Sequence, residues 1–234
     1  MSRIEKGKDV KTELAQLKGE MIKEIGSKRP KNRLASCSLI LFLIIFGLLG
    51  FAVWSFAATG LVHVPIVSGF AYHKPEPLRL VTPGVRMETI VEEQIKTSLA
   101  RGEQTLSVRL PEESLTSTLR TILETGKSEL IESANAQVTI GSDQTFTFFL
   151  PLKDSSKQTA IQMKIKATVK DGGLQLEPQT FQLGSLRVPG PLTAFFLQPF
   201  IQSQLPALND SLRSFVKLTD LRYEEGTLMM EGTL

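Results

Sequence analysis

The chain has 234 residues, with 27 Lys/Arg, 24 Asp/Glu and one cysteine; that length holds one folded domain plus accessories. The lone Cys37 excludes an intrachain disulfide framework, so any domain must be held by its core. The net charge of +3 hides an asymmetry: residues 1–33 hold ten basic and five acidic side chains, whereas residues 61–234 hold 17 and 19, a polarised pattern that argues against a nucleic-acid binder.

In the basic tail, residues 1–33, Val10, Leu14, Leu17, Met21 and Ile25 recur at steps of three and four. That spacing predicts an amphipathic helix ending near Gly26 and stopped by Pro30. Two readings fit it: a helix lying on the inner leaflet or against a partner helix, and a solvated tail that only enforces topology.

From Leu34 to Val62 there is no charged side chain, and Leu39 to Trp54 is almost wholly apolar. This predicts a transmembrane helix over about 34–59, since about 20 residues cross a hydrocarbon core. Trp54 and Phe56 stand where an interfacial aromatic belt is expected. Lys28, Arg29, Lys31 and Arg33 precede the run, which places the N-terminus in the cytoplasm and the C-terminal domain outside the cell membrane. A cleaved signal sequence cut at Ala57-Ala58 fits less well, because the run is too long and too far from the N-terminus. Leu34-Ala35-Ser36-Cys37 has the form of a lipid-attachment signal, but its hydrophobic stretch follows the cysteine instead of preceding it.

Residues 60–85 contain Pro65, Pro75, Pro77 and Pro83 and read as a linker. Residues 86–234 read as one extracytoplasmic α+β domain. Ile90, Val91, Ile95 and Leu99 mark a helix, Leu106, Val108 and Leu110 a strand, and Leu115, Leu119, Ile122 and Leu123 a second helix continuing toward Ile131. Strands follow at 136–140, 146–150, 161–169, 174–176 and 181–183, with turns at Gly141-Ser142-Asp143, Lys153 to Ser156 and Asp171-Gly172-Gly173. The strict alternation from Ile161 to Val169 gives one dry face and one wet face. After Pro189-Gly190-Pro191, a very apolar helix carries Leu192, Phe195, Phe196, Phe200, Ile201 and Leu205, its stripe extended by Leu208, Leu212 and Phe215. A final hairpin turns at Glu224-Glu225-Gly226. The architecture expected is a long, curved antiparallel sheet packed on hydrophobic helices, with the helix at 192–205 enclosed by the sheet or touching something apolar.

No catalytic constellation is visible, so the reading is a non-enzymatic protein with no cofactor. His63 and His73 lie in the linker, and two histidines and a membrane cysteine make no usual zinc site. Glu112-Glu113 suits a helix start after Pro111. Asn209-Asp210-Ser211 is a formal glycosylation sequon, read here as chance. Lys164, Lys166 and Lys170 fall on the wet face of their strand.

Gly172-Gly173-Leu174-Gln175-Leu176, then Leu183-Gly184-Ser185-Leu186-Arg187-Val188-Pro189 and an apolar helix, resembles the YpmS-type family of membrane-anchored extracytoplasmic bacterial proteins. Leu110-Pro111-Glu112-Glu113-Ser114-Leu115 resembles that family's entry into its first domain helix, and the likeness covers about 100–234. The layout is also similar to TULIP-like (tubular lipid-binding) modules, in which a curved sheet wraps a long helix and leaves an apolar groove. The resemblance implies a cell-envelope role and lipid binding.

The function expected is therefore binding of a membrane lipid or other apolar ligand. Phe146, Phe148, Ile161, Met163, Ile165, Leu174, Leu176, Phe195, Phe196 and Phe200 would supply the lining. The same residues also satisfy an ordinary packed core. The alternative function is a scaffold or accessory subunit of an envelope or secretion assembly.

Overall fold

The computed structural model describes residues 14–23, 33–155, 157–213 and 217–233. The chain divides into two compact units, Met1–Phe51 and Ala52–Leu234. In the first, residues 14–23 form helix α1, with Leu14, Leu17, Met21 and Ile22 all exposed. Val10, Ile25, Lys28, Arg29, Pro30 and Lys31 lie outside the described residues.

Helix α2 spans Arg33–Thr59. Its segment Ser38–Thr59 is long and apolar enough to cross a membrane, and no other helix among the described residues is. At 1.5 Å per residue its 22 residues measure about 33 Å.

The second unit is α+β, as the alternation predicts, but it holds two antiparallel sheets in place of one. The larger is a meander of β2 (Gln137–Gly141), β3 (Thr145–Pro151), β4 (Ala160–Lys170), β5 (Gly173–Leu183) and β6 (Leu186–Val188), paired in that order. Asp171 and Gly172 join β4 to β5 with φ of 54° and 75°; two consecutive left-handed residues make the tight turn whose twist matches a hairpin, which favours an Asp-Gly pair. The smaller sheet is β1 (Thr105–Pro111), β8 (Thr227–Thr233) and β7 (Lys217–Glu224), with β8 central. β1 lies over a hundred residues from its partner β8, with Val108 opposite Met230 and Leu110 opposite Leu228. Local alternation marks both strands, but it carries no information on that pairing.

Four further helices complete the unit: α3 (Val67–Ala71), α4 (Met87–Ala100), α5 (Glu112–Thr125) and α6 (Gly190–Arg213). The helical pattern after Pro111 ends at Thr125, short of Ile131, where Gly126 closes it. Pro199 and Pro206 both lie inside α6. The main core joins Leu106, Val108, Leu110 and Leu228 of the small sheet to Ile140 of the large one, with Met87, Ile90, Val91 and Ile95 packed against it.

Residues 60–85 are not a free spacer. Ser68, Ala71 and Val81 are buried, and the Tyr72 hydroxyl donates to the Lys157 carbonyl at 3.1 Å. Further along, the Val81 N–H donates to the Gln137 side-chain oxygen at 3.2 Å. Prolines remove backbone donors without preventing side chains from docking, so a Pro-rich stretch reads as a linker even where it is strapped to the body.

Candidate functional site

The register places the seven strand residues expected in an apolar lining on one face of the large sheet. Phe146 stands opposite Ile165, and Phe148 opposite Met163. Across the next strand pair, Met163 meets Phe181, Ile161 meets Leu183, Ala167 meets Leu176 and Val169 meets Leu174. Ile165 is buried; Phe146, Phe148, Ile161, Met163, Leu174 and Leu176 are half-buried. Phe146 also meets Tyr223 of β7 edge to face, with ring centres 5.7 Å apart, and the Tyr223 hydroxyl donates to the Ala167 carbonyl at 2.7 Å. Burial pushes that phenol up to about 12.

The aromatic residues of α6 do not join this face. Thr193 is buried, but Leu192, Phe195 and Phe196 stand 49%, 72% and 67% exposed. Phe195 and Phe196 pack only edge to face on each other among aromatic rings, 5.2 Å apart. Phe200 lies in α6, and its side chain is outside the described residues, as are those of Leu208 and Leu212; Phe215 is outside them altogether. The helix is therefore not enclosed over its first turns. Its contact with β5 includes polar groups: the Asn209 amide accepts from Leu174 N–H at 2.8 Å and donates to Leu174 C=O at 3.0 Å.

On the wet face, Lys164 and Asp143 pair at 2.5 Å. The Lys164 ammonium, then the Thr145 hydroxyl, hold the Asp143 carboxyl below its usual range.

An apolar groove lies elsewhere, between α4 and the small sheet. Met87, Val91 and Ile95 follow at steps of four, so one stripe of α4 faces Leu106 and Val108 of β1, Met230 of β8 and Leu218 of β7. The groove has a volume of about 550 Å³, within the range of small-ligand sites. Its polar residues, Glu88, Glu92, Lys96 and Glu231, carry no matching polar interior: the wall between them is hydrocarbon. Lys96 pairs with Glu92 at 2.6 Å, holding the Glu92 carboxyl below its usual range. The start of α4 is fixed by Met87 N–H donating to the Thr118 hydroxyl at 3.0 Å. A site of this composition can take hydrocarbon and offers little to orient a polar substrate. Val91 and Ile95 and the alternation of β1 were visible in sequence, but Met87 was not read in the stripe, Leu99 is exposed, and the distant pairing with β8 that adds Met230 gave no local signal.

Among the described residues, no group of three His, Cys, Asp or Glu is placed to hold a metal ion. The fold and groove define an α+β domain carried behind one membrane-length helix. The chain matches no protein-family model and no curated protein.

Proposed function

We propose that the protein is a single-pass membrane protein whose extracytoplasmic domain holds a lipid or another ligand of acyl-chain character, without catalysing a reaction. The observation that carries this reading is the groove at Met87, Val91, Ile95, Leu106, Val108, Leu218 and Met230, apolar throughout its walls. An apolar groove open to water is costly unless something apolar occupies it, at about 25 cal/mol per Å². Anchoring is supported by α2, and the orientation by the cationic cluster Lys28, Arg29, Lys31 and Arg33 before it. The likeness to the YpmS-type family and to tubular lipid-binding modules agrees with an envelope role.

Full-length protein exposed to a photoactivatable diazirine fatty acid, then digested and mapped by mass spectrometry, tests this. Adducts belong on peptides of α4 and β8. Adducts confined to α2 would reflect detergent or bilayer contact alone and would sink the proposal.

A second reading, a scaffold subunit of an envelope assembly, draws on the exposed Leu192, Phe195 and Phe196 of α6. A contiguous apolar patch of this kind also suits a protein partner.

A further inference from the structure

The outer end of α2 is clasped by the domain. Ala57, Ala58 and Thr59 are buried, in contrast to the exposed residues before them. The last carbonyls of a helix lack intrahelical partners, and here the domain supplies them. Ser185 N–H donates to Ala58 C=O at 2.8 Å, and the Thr159 hydroxyl donates to Thr59 C=O at 2.7 Å. Gly184 has φ of 60°, and a Cβ there would collide with the Thr59 carbonyl oxygen. The joint is a packed contact between α2 and the β5–β6 turn.

At Gly60 (φ 71°) the helix stops and the chain folds back. Val64, Val67, Ala71 and Leu186 then pack around Ala57 and Ala58. Other apolar residues of this collar are uncovered: Val62, Ile66 and Phe70 stand 56%, 82% and 74% exposed. Ile66 has φ 69° and ψ −56°, and the Val67 N–H donates to the Pro65 carbonyl at 2.8 Å. That is a γ-turn of the rare, strained hand, centred on a β-branched residue for which a positive φ is a true outlier. Strain of this kind persists only where the surroundings hold it, and here it falls on an isoleucine left 82% exposed. The charge-free stretch that begins at Leu34 runs through the whole collar to His73, and the first charge after it is Lys74.

The lengths decide what covers these residues. Ser38–Thr59 measures about 33 Å, and the hydrocarbon core is about 30 Å thick. The clasp therefore begins where the hydrocarbon ends, and the exposed Trp54 just before it sits at belt level. Along the chain the collar follows directly on the segment long enough to cross the hydrocarbon.

We infer that the collar, residues 61–73, is an interfacial membrane element, with Val62, Ile66 and Phe70 entering the boundary between headgroups and acyl chains. The domain then touches the bilayer through this element as well as through its anchor. This rests on the anchor reading above.

The test uses full-length protein in a Cys37→Ser background, in phosphatidylcholine vesicles. Single cysteines replace Phe46, Phe70 or Lys170, each carrying an environment-sensitive fluorophore. Lys170 ends β4, about 33 Å along that strand from Ala160, so it reports the far end of the sheet. Lipids brominated near the headgroup should remove most of the fluorescence at position 70 and little at 170, and iodide in the water the reverse. If 46 is quenched by lipids brominated deep in the acyl chain while 70 stays as open to iodide as 170, the collar stands clear of the membrane; the inference fails and the anchor survives. If 70 is shielded from both quenchers, protein covers it, and the inference also fails. If 46 is not quenched by lipid, the anchor reading falls and takes the inference with it.

Discussion

The guanidinium of Arg79 grips both carboxylate oxygens of Glu112, from Nε at 2.8 Å and from Nη2 at 2.6 Å. Glu112 opens α5, is buried, and also accepts the Ile140 N–H at 3.0 Å. Arg79 in turn donates to the Ile140 carbonyl at 3.0 Å and reaches Glu225 at 2.8 Å. One side chain from the strap at 60–85 thus joins the helix start, the edge of the large sheet and the β7–β8 turn. Removing the cation leaves a buried carboxylate short of partners. Arg79→Ala should cost about 3 kcal/mol in denaturant unfolding. Glu225→Ala, which removes only the exposed partner, should cost less than about 1 kcal/mol. Equal losses would show that the buried contact carries no special weight.

On each side of the large sheet a helix side chain imitates one step of a strand, at the edge strand β2 and at the part of β5 that the short β6 does not cover. At β2, the fully buried Thr116 hydroxyl of α5 accepts the Val138 N–H at 3.0 Å and donates to its carbonyl at 3.1 Å. At β5, Asn209 does the same for Leu174 with the two ends of its amide. An unpaired edge invites pairing with other chains. Thr116→Val keeps the shape and orphans two buried backbone groups, so a loss of about 2–3 kcal/mol is expected. Asn209→Leu, at a half-buried site, should cost about 1–2 kcal/mol and raise aggregation on concentration, read by light scattering. Because the Asn209 amide nitrogen is engaged, its formal sequon should stay unmodified in a glycosylating host, which intact-mass measurement would check.

These two edges show what the sequence could and could not say. The alternation of Ile161, Met163, Ile165, Ala167 and Val169 made β4 and its dry face legible, because period two is a local signal. The Asp171-Gly172 turn and the closing hairpin were legible for the same reason. Thr116 and Asn209 were not, since a polar residue inside a helical pattern gives no hint of its distant partner. The two-sheet arrangement was hidden because β1 and β8 meet only in the fold. Phe195 and Phe196 exposed the opposite weakness: apolar content predicted enclosure, yet the helix packs through other residues and leaves them outside.

Tyr223 gives the fold a titratable link between its two sheets. A phenol free in the unfolded chain loses its proton near pH 10, whereas in the fold burial pushes it up to about 12. The folded state therefore keeps a proton that the unfolded state releases. Its contribution is fully present below about pH 10 and is lost as pH rises toward about 12. Tyr223→Phe should cost about 1 kcal/mol at neutral pH by deleting the bond to Ala167. It should also flatten the decline in unfolding free energy between about pH 10 and about pH 12. Parallel pH profiles for both proteins would contradict the assigned burial.

The groove offers the most direct separation of ligand site from packed core. Val91 lies at the middle of the α4 stripe, half-buried, facing Leu106, Val108 and Met230 across the opening. Val91→Trp adds bulk there without adding charge, beside the buried Leu106 and Val108 that Val91 packs against. In a well-filled core such overpacking costs about 1–3 kcal/mol. In an open groove the indole should find space, so the unfolding free energy should change by less than about 1 kcal/mol while diazirine fatty-acid labelling of α4 and β8 disappears. Val91→Ala is the matching control: it enlarges the groove and should keep the labelling. Labelling that survives Val91→Trp undiminished would place the apolar ligand elsewhere on the domain. A large loss of stability without any labelling in the parent protein would make α4 and the small sheet an ordinary core.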